Sequence, residues 1–370
     1  MITFAAVGDV GPESADVDAL FAGVAPAIRS ADLAFCQLEM NLTERGQRVP
    51  QVRHTSRTHP DAAHAIRRAG FGVVSWASNH ALDWGYEGFF DTVHALEAAG
   101  ITVVGVGADL AQARRIRVVD IRGVRVAVLA YCSILPADYW ATERRAGVAP
   151  MRALTHCEPI EPDQPGTPVR IRTFAHPDDL RGLLDDVAQA RQLADAVVVS
   201  FHWGIHFVPA QLADYQRAVA HAAIDAGADL ILGHHAHILK GIEIYRGKAI
   251  FYSLGNFVIE LPMDEEHASR PTFKELQRLN PNWEVDFTSN FNFPYDSRKT
   301  IVVGCDIGRN GVSNLVLRPA WIDKRAIPEL LVPADPRFAE VVAYLAAVSA
   351  DEGLPVRLVV DGDRVRVEAP

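Results

Sequence analysis

No C-x-x-C pair occurs in this chain, and its cysteines number only four: Cys36, Cys132, Cys157 and Cys305. Their wide spacing argues against a zinc ribbon or a disulfide framework and reads as reduced, mostly buried thiols. An excess of positive charge is also missing. Lys plus Arg total 36 against 46 Asp plus Glu, a formal net charge of −10. Such a chain is a poor candidate for binding nucleic acid or lying on an anionic membrane. An anionic substrate stays open, because bound cations make a site locally positive. The N-terminus shows no basic stretch followed by an apolar one, so no signal peptide is expected. No run approaches the roughly 18 consecutive apolar residues of a spanning helix. Internal repeats and low-complexity tracts are absent too. What is present is a 370-residue chain, 49% hydrophobic and 22% charged, able to build a large core. A soluble cytoplasmic protein without a membrane anchor is the expectation; nothing in the sequence speaks to its oligomeric state.

Short apolar, β-branched runs alternate with helical spacing. Ile2–Val7, Leu33–Gln37, Val73–Trp76 and Thr102–Gly105 read as strands. Asp16–Ser30, Asp61–Gly70 and Tyr86–Ala99 between them read as helices, with Gly70 and Gly100 at C-cap positions. Arg122-Gly123 and Arg246-Gly247 mark tight hairpin turns, and Ala196–Phe201 and Leu230–Gly233 flank a helix over about Ala210–Gly227. The pattern predicts an α/β protein with two mixed sheets. Two stretches, about 137–176 and 261–299, break the rhythm and read as lids or binding loops inserted into one domain over 1–325. The segment 326–370 reads as a helix and a hairpin packed on that domain.

Polar residues gather directly after the predicted strands. Asp9 follows the first, Glu39 and Asn41 the second, and Asn79-His80 the third. His202 and the cluster His234, His235, His237 follow the later ones. Carboxyl ends of strands are where α/β sheets bind ligands. Carboxylate and imidazole donors without thiolates suit Zn, Mn or Fe, and an Asn amide oxygen suits harder cations such as Ca. Taken singly, Asp9 reads as a turn or N-cap residue and Glu39 as a surface carboxylate. Taken together they predict a centre for one or two divalent metal ions.

The segments Ala6-Val7-Gly8-Asp9, Leu38-Glu39-Met40-Asn41, Ala77-Ser78-Asn79-His80-Ala81-Leu82-Asp83-Trp84-Gly85, His202-Trp203-Gly204, Gly233-His234-His235-Ala236-His237 and Ser253-Leu254-Gly255-Asn256-Phe257 carry a resemblance. Their order and spacing resemble the calcineurin-like metallophosphatase superfamily, and within it the CapA-like capsule or poly-γ-glutamate synthesis branch. The resemblance implies a four-layer α/β/β/α sandwich. It implies Asp9 and His237 at one metal position, Glu39 bridging, and Asn79, His202 and His235 at the second. His80 would be the acid or electrostatic histidine, oriented by Asp83; alternatively Asp83 only caps the helix near Tyr86. His234 is a ligand or a wall residue. The phosphatase pattern carries histidine at position 11 and aspartate at position 39, where this chain has Gly11 and Glu39.

Three functions follow from the resemblance. The first in rank is epimerisation at an amino-acid α-carbon of a ribosomally made, lasso-type precursor peptide. His80 with Asp83 would act on one face of that carbon, and Asp9, His235 or His237 on the other. A metal-dependent phosphoesterase and a capsule or poly-γ-glutamate biosynthesis protein are the alternatives. The partner is a peptide or a poly-glutamate-like chain, with no nucleic acid. Phe287, Phe291, Phe293 and Tyr295 alternate as the face of an extended lid would, or as ordinary packing would. Arg53, Arg57, Arg270 and Arg298 are loop candidates for holding a carboxylate.

Overall fold

The structure, a computed structural model, describes residues 1–50, 52 and 55–370. Two mixed sheets stack face to face. The first runs in the order Arg357–Asp361, Arg364–Glu368, Gly311–Ile322, Lys299–Gly308, Ile2–Gly11, Leu33–Leu38, Val73–Ser75, Thr102–Val104. Asn256–Ile259 joins it in parallel beside the second half of Ile2–Gly11. The second sheet runs Ile242–Tyr245, Lys248–Phe251, Leu230–His234, Ala196–His202, Val124–Cys132, Arg117–Ile121.

Period-two alternation explains the layering. On the strand Val124–Cys132, Val126, Val128 and Ala130 join the core shared with the first sheet. Their neighbours Ala127, Leu129 and Tyr131 join a separate core with Leu183 and Val187 of helix Pro177–Leu193 and Val219 and Ala223 of helix Asp214–Ala226. Helices Ala62–Ala69 and Gly85–Ala98 bury Ile66, Phe89 and Leu96 in the first-sheet core. The result is helix, sheet, sheet, helix: the four-layer sandwich.

Several elements differ from the sequence reading. Asp16–Ser30 is two short helices, Val17–Phe21 and Ala25–Arg29, because Gly23 weakens the join and Pro26 suits only a helix start. The stretch 137–176 carries a hairpin of Ala153–Pro159 with Val169–Ala175. The stretch 261–299 holds helices Glu265–Ser269 and Pro271–Leu279 and a 3-10 turn over Tyr295–Arg298. Its aromatics do not share one strand face: Phe291 and Phe293 are buried, whereas Phe287 and Tyr295 are 54% and 58% exposed. At the C-terminal end, helix Pro336–Asp351 is followed by two strands that extend the first sheet beside Gly311–Ile322. Among the described residues no helix is long and apolar enough to cross a membrane.

Candidate metal centre

Backbone packing brings the strand ends together. Gly8 allows the closest approach: a Cβ there would stand 2.0 Å from the carbonyl oxygen of Gly255. That contact lets the Asp9 N–H donate to Gly255 at 2.9 Å and sets Asp9 beside Asn256 on one side and Gln37 on the other. Glu39 follows at once, its N–H donating to the Val10 carbonyl at 2.8 Å. In the second sheet His202 and His234 stand in register. His235 and His237 adopt φ of 84° and 55°, a left-handed conformation that is strained for residues with a side chain. Such strain persists only where the surroundings impose it.

The side chains converge as two donor groups, Glu39–His202–His235 and Asp9–Glu39–His237, in each of which the donor atoms lie within 4.8 Å of one another. Glu39 belongs to both. Asn79 Oδ1 approaches His202 Nε2 at 2.6 Å, and Glu39 Oε1 lies 3.4 Å from the same nitrogen. His237 Nε2 is 3.7 Å from Glu39 Oε1. The structure thus brings together the six candidate donors expected from the sequence, Asn79 through its contact with His202.

A divalent cation fits this donor set. Both Glu39 oxygens and the Nδ1 atoms of His202 and His235 are buried without a hydrogen-bond partner. Buried polar atoms left so are costly unless a ligand satisfies them. Burial and the neighbouring Asp9 push the Glu39 carboxyl well above its ordinary value. Burial also acts upward on Asp9, but the contact with His234 and the other imidazoles outweigh it and hold Asp9 below the usual carboxylate range. Burial drives His202 and His235 well below an ordinary imidazole, so both present the neutral form that ligates metal. His234 sits behind Asp9, its Nδ1 3.2 Å from Asp9 Oδ1, and outside the cavity.

His80 follows the same strand end as Asn79. Its Nδ1 is 2.7 Å from Asp83 Oδ2, and the Tyr139 hydroxyl donates to Asp83 Oδ1 at 3.1 Å. Asp83 makes no cap: helix Gly85–Ala98 has Trp84 at its N-cap and no side-chain cap bond. Burial lowers the His80 imidazole, but the Asp83 carboxylate more than offsets this and holds it above the ordinary value.

The chain's sequence matches the family model "Bacterial capsule synthesis protein PGA_cap" over residues 3–260. The chain belongs to that family. It is 30% identical over 250 residues to the PGA biosynthesis protein CapA of Bacillus subtilis, covering 67% of this chain and 58% of that one. It is 36% identical over 232 residues to a Mycobacterium tuberculosis protein named as a probable polyglutamine synthesis accessory protein, covering 62% and 56%. The chain thus spans somewhat over half the length of these curated relatives. Among solved structures, the calcineurin-like phosphoesterase YfkN of Bacillus subtilis aligns over 95% of this chain and 97% of its own, at 12% identity and a TM-score of 0.40.

This PGA_cap-family chain carries a cavity of about 680 Å³ over the donors. Glu39, Asn79, His80, His235 and His237 line it, whereas Asp9 and His202 lie beneath its surface. The opposite walls come from beyond the family match, from Met263, Phe273, Leu276, Trp283 and Phe293. Phe207, at φ 62°, stacks on His237 with ring centres 5.3 Å apart and planes 19° apart, and packs on Trp283 at 4.9 Å. The lid aromatics are therefore both core and cavity wall. Of the loop arginines, Arg270 lines the cavity and pairs with Glu266 at 2.8 Å. Arg57 lies over the Trp84 ring, Arg298 donates to the Ile322 carbonyl, and Arg53 lies outside the described residues.

Sequence reasoning missed Tyr139, Phe207 and the role of Asn256. Asn256 Oδ1 meets His237 Nδ1 at 2.8 Å. Its motif, Ser253–Phe257, was a visible signal; Tyr139 and Phe207 had none.

Proposed function

We propose that this protein is a metal-dependent enzyme that moves a proton at the α-carbon of an amide-linked amino acid, an epimerase of a peptide or a glutamate polymer. A ribosomally made, lasso-type precursor peptide is the finer form of that reading. The relay His80–Asp83–Tyr139, set on a largely apolar cavity beside the donor cluster, carries the proposal. A divalent cation bound there would polarise a substrate carbonyl and so acidify the adjacent C–H bond. His80 takes or returns the proton through Nε2. Asp83, held by Tyr139, keeps the Nδ1–H tautomer and stabilises the imidazolium. Phe207, Phe293 and Trp283 exclude water and favour an apolar side chain next to the reacting centre. Among the described residues lining the cavity Arg270 is the only arginine and there is no lysine, a poor clamp for a phosphate. The names of the relatives concern PGA and polyglutamine, which are amide-linked chains and offer the same carbonyl. The four free cysteines, Cys157 of them exposed, support a reducing cytoplasmic setting.

One observation favours phosphoester hydrolysis instead: Glu39 is shared by two donor groups, as two-metal hydrolysis requires. Incubating the Mn²⁺-loaded protein with candidate peptides in D₂O separates the two. Epimerisation adds about one mass unit at the inverted residue with chain length unchanged. Turnover of p-nitrophenyl phosphate or its diester, with no deuterium uptake, would overturn the proposal.

A further inference from the structure

The first sheet ends on an open edge. Arg357–Asp361 is its outermost strand, paired on one side with Arg364–Glu368, and among the described residues no strand pairs with its other side. Gly362, at φ 60°, and Asp363 make the two-residue turn that joins the two strands. Counted from that turn, Arg357, Val359 and Asp361 direct their N–H and C=O groups at Arg364–Glu368, and Leu358 and Val360 turn theirs to the free side. The usual guards against pairing at an edge are missing, for the strand has no proline, no lysine and no bulge.

The two faces of this strand differ, because successive side chains alternate. Leu358 and Val360 face helix Pro336–Asp351 and line, with its Ala339, Val342, Ala343 and Ala346, an apolar groove of about 500 Å³. Val360 is 53% exposed there. On the other face charges alternate in sign. Arg357 stands opposite Glu368 and pairs with it, and Asp361 stands opposite Arg364, with the Arg366 guanidinium 3.5 Å away. The hairpin holds three arginines and three acids, so a chain of net charge −10 offers a locally neutral surface at this edge.

We propose that this edge is the interface of a twofold dimer, in which Arg357–Asp361 pairs antiparallel with the same strand of a second copy. An axis at Val359 sets Arg357 against Asp361 of the second copy, Leu358 against its Val360, and Val359 against itself. The free N–H and C=O groups of Leu358 and Val360 then meet each other, which is the pairing an antiparallel ladder requires. Across the joined sheets the charges run Glu368, Arg357, then Asp361 and Arg364 of the second copy, opposite in sign at every step. An axis one residue to either side would set Arg357 or Asp361 against Val359 instead. The strand is thus complementary to itself in one register, as an isologous contact demands. The two apolar grooves join across the axis. Three strands separate this edge from Ile2–Gly11, so the metal centre stays open in the dimer.

The test is sedimentation of the full chain over a dilution series. The wild type should show twice the chain mass. Arg357→Asp and Asp361→Arg each set like charges against one another at two places, and each should raise the dimer dissociation constant about 10-fold or more. Mixed one to one, the two variants should pair with each other at close to wild-type strength, because opposite charges then meet at both places. Unfolding midpoints and Mn²⁺ content matched to wild type exclude a folding defect. In a Cys157→Ser background, Val359→Cys should oxidise to a covalent dimer, since facing residues of a non-hydrogen-bonded pair stand about 4.5 Å apart at Cα, within disulfide reach. Leu358→Cys should not. A wild type that stays monomeric overturns the proposal and leaves the edge to a foreign strand. A dimer indifferent to both charge reversals, or variants that do not recover on mixing, overturns it as well.

Discussion

His237 Nδ1 lies 2.8 Å from Asn256 Oδ1, and Asn256 stands in register with Asp9 on the adjoining parallel strand. An amide oxygen only accepts, so Nδ1 carries the hydrogen and Nε2 is the nitrogen left to hold a cation. One strand pairing therefore positions both Asp9 and the ring that would share its cation. Asn256→Leu removes the acceptor and should weaken metal binding about 10- to 100-fold, while Asn256→Asp should retain it. Metal content after graded chelation checks both.

Glu39 serves both donor groups, so its loss should be felt at both. Glu39→Gln keeps size and removes the charge. Excess Mn²⁺ should raise the thermal midpoint of the wild type, by linkage of binding to folding, and leave that of the variant nearly unmoved. An equal rise in both proteins would remove Glu39 from the centre.

Asp83 bonds His80 and Tyr139 and caps no helix. Asp83→Asn should therefore reduce turnover about 10- to 100-fold with metal content unchanged. Tyr139→Phe removes one hydrogen bond to the carboxylate but leaves its charge, and should cost less turnover than Asp83→Asn. A silent Asp83→Asn in a steady-state assay would dismiss the relay.

Position 11 tests the departure from the phosphatase pattern. A Cβ on Gly11 would stand 3.0 Å from Ile259 Cγ1, so the space for an imidazole is partly filled. Gly11→His alone should destabilise the protein. Combined with Ile259→Ala it should tighten the Asp9–Glu39–His237 position and raise phosphodiester turnover. If the double variant binds no more metal than wild type, Gly11 does not limit the site.

Lys240 is buried and donates to the backbone carbonyls of Val208 and Gln211, pinning the loop after His202. Burial lowers its ammonium from 10.5 to about 8. The unfolded chain then binds the extra proton between pH 8 and 10.5, so this group makes stability rise with pH across that window. Below pH 8 both states are protonated and its contribution is constant. Urea unfolding from pH 7 to 10 should show the rise in wild type relative to Lys240→Met. Parallel curves would contradict it.

The strands and the donor residues were legible because their signals are local. Ile2–Val7 and Leu33–Gln37 are short β-branched or apolar runs, and each ends in a carboxylate; parallel strands gather such ends on one edge. Gly123 and Gly247, at φ of 75° and 74°, close hairpins where the sequence placed them. Strands Lys299–Gly308 and Gly311–Ile322 were not foreseen, for Gly304, Asp306 and Pro319 interrupt their apolar pattern; the first gains a side to bury by pairing with Ile2–Gly11, and the second by pairing with the first.

By itself, then, the sequence determined the sandwich, its hairpins and which six candidate donors the strand ends carry, since each depends on a motif only a few residues long. Tertiary structure alone decided three things. It chose Tyr139 as the partner of Asp83, 56 residues away. It set Phe207 against His237, through a left-handed backbone that no side chain announces. It also split the lid aromatics, burying Phe291 and Phe293 and leaving Phe287 and Tyr295 in solvent. Each of these depends on which surfaces meet after folding, and a side chain's burial follows from its neighbours in space.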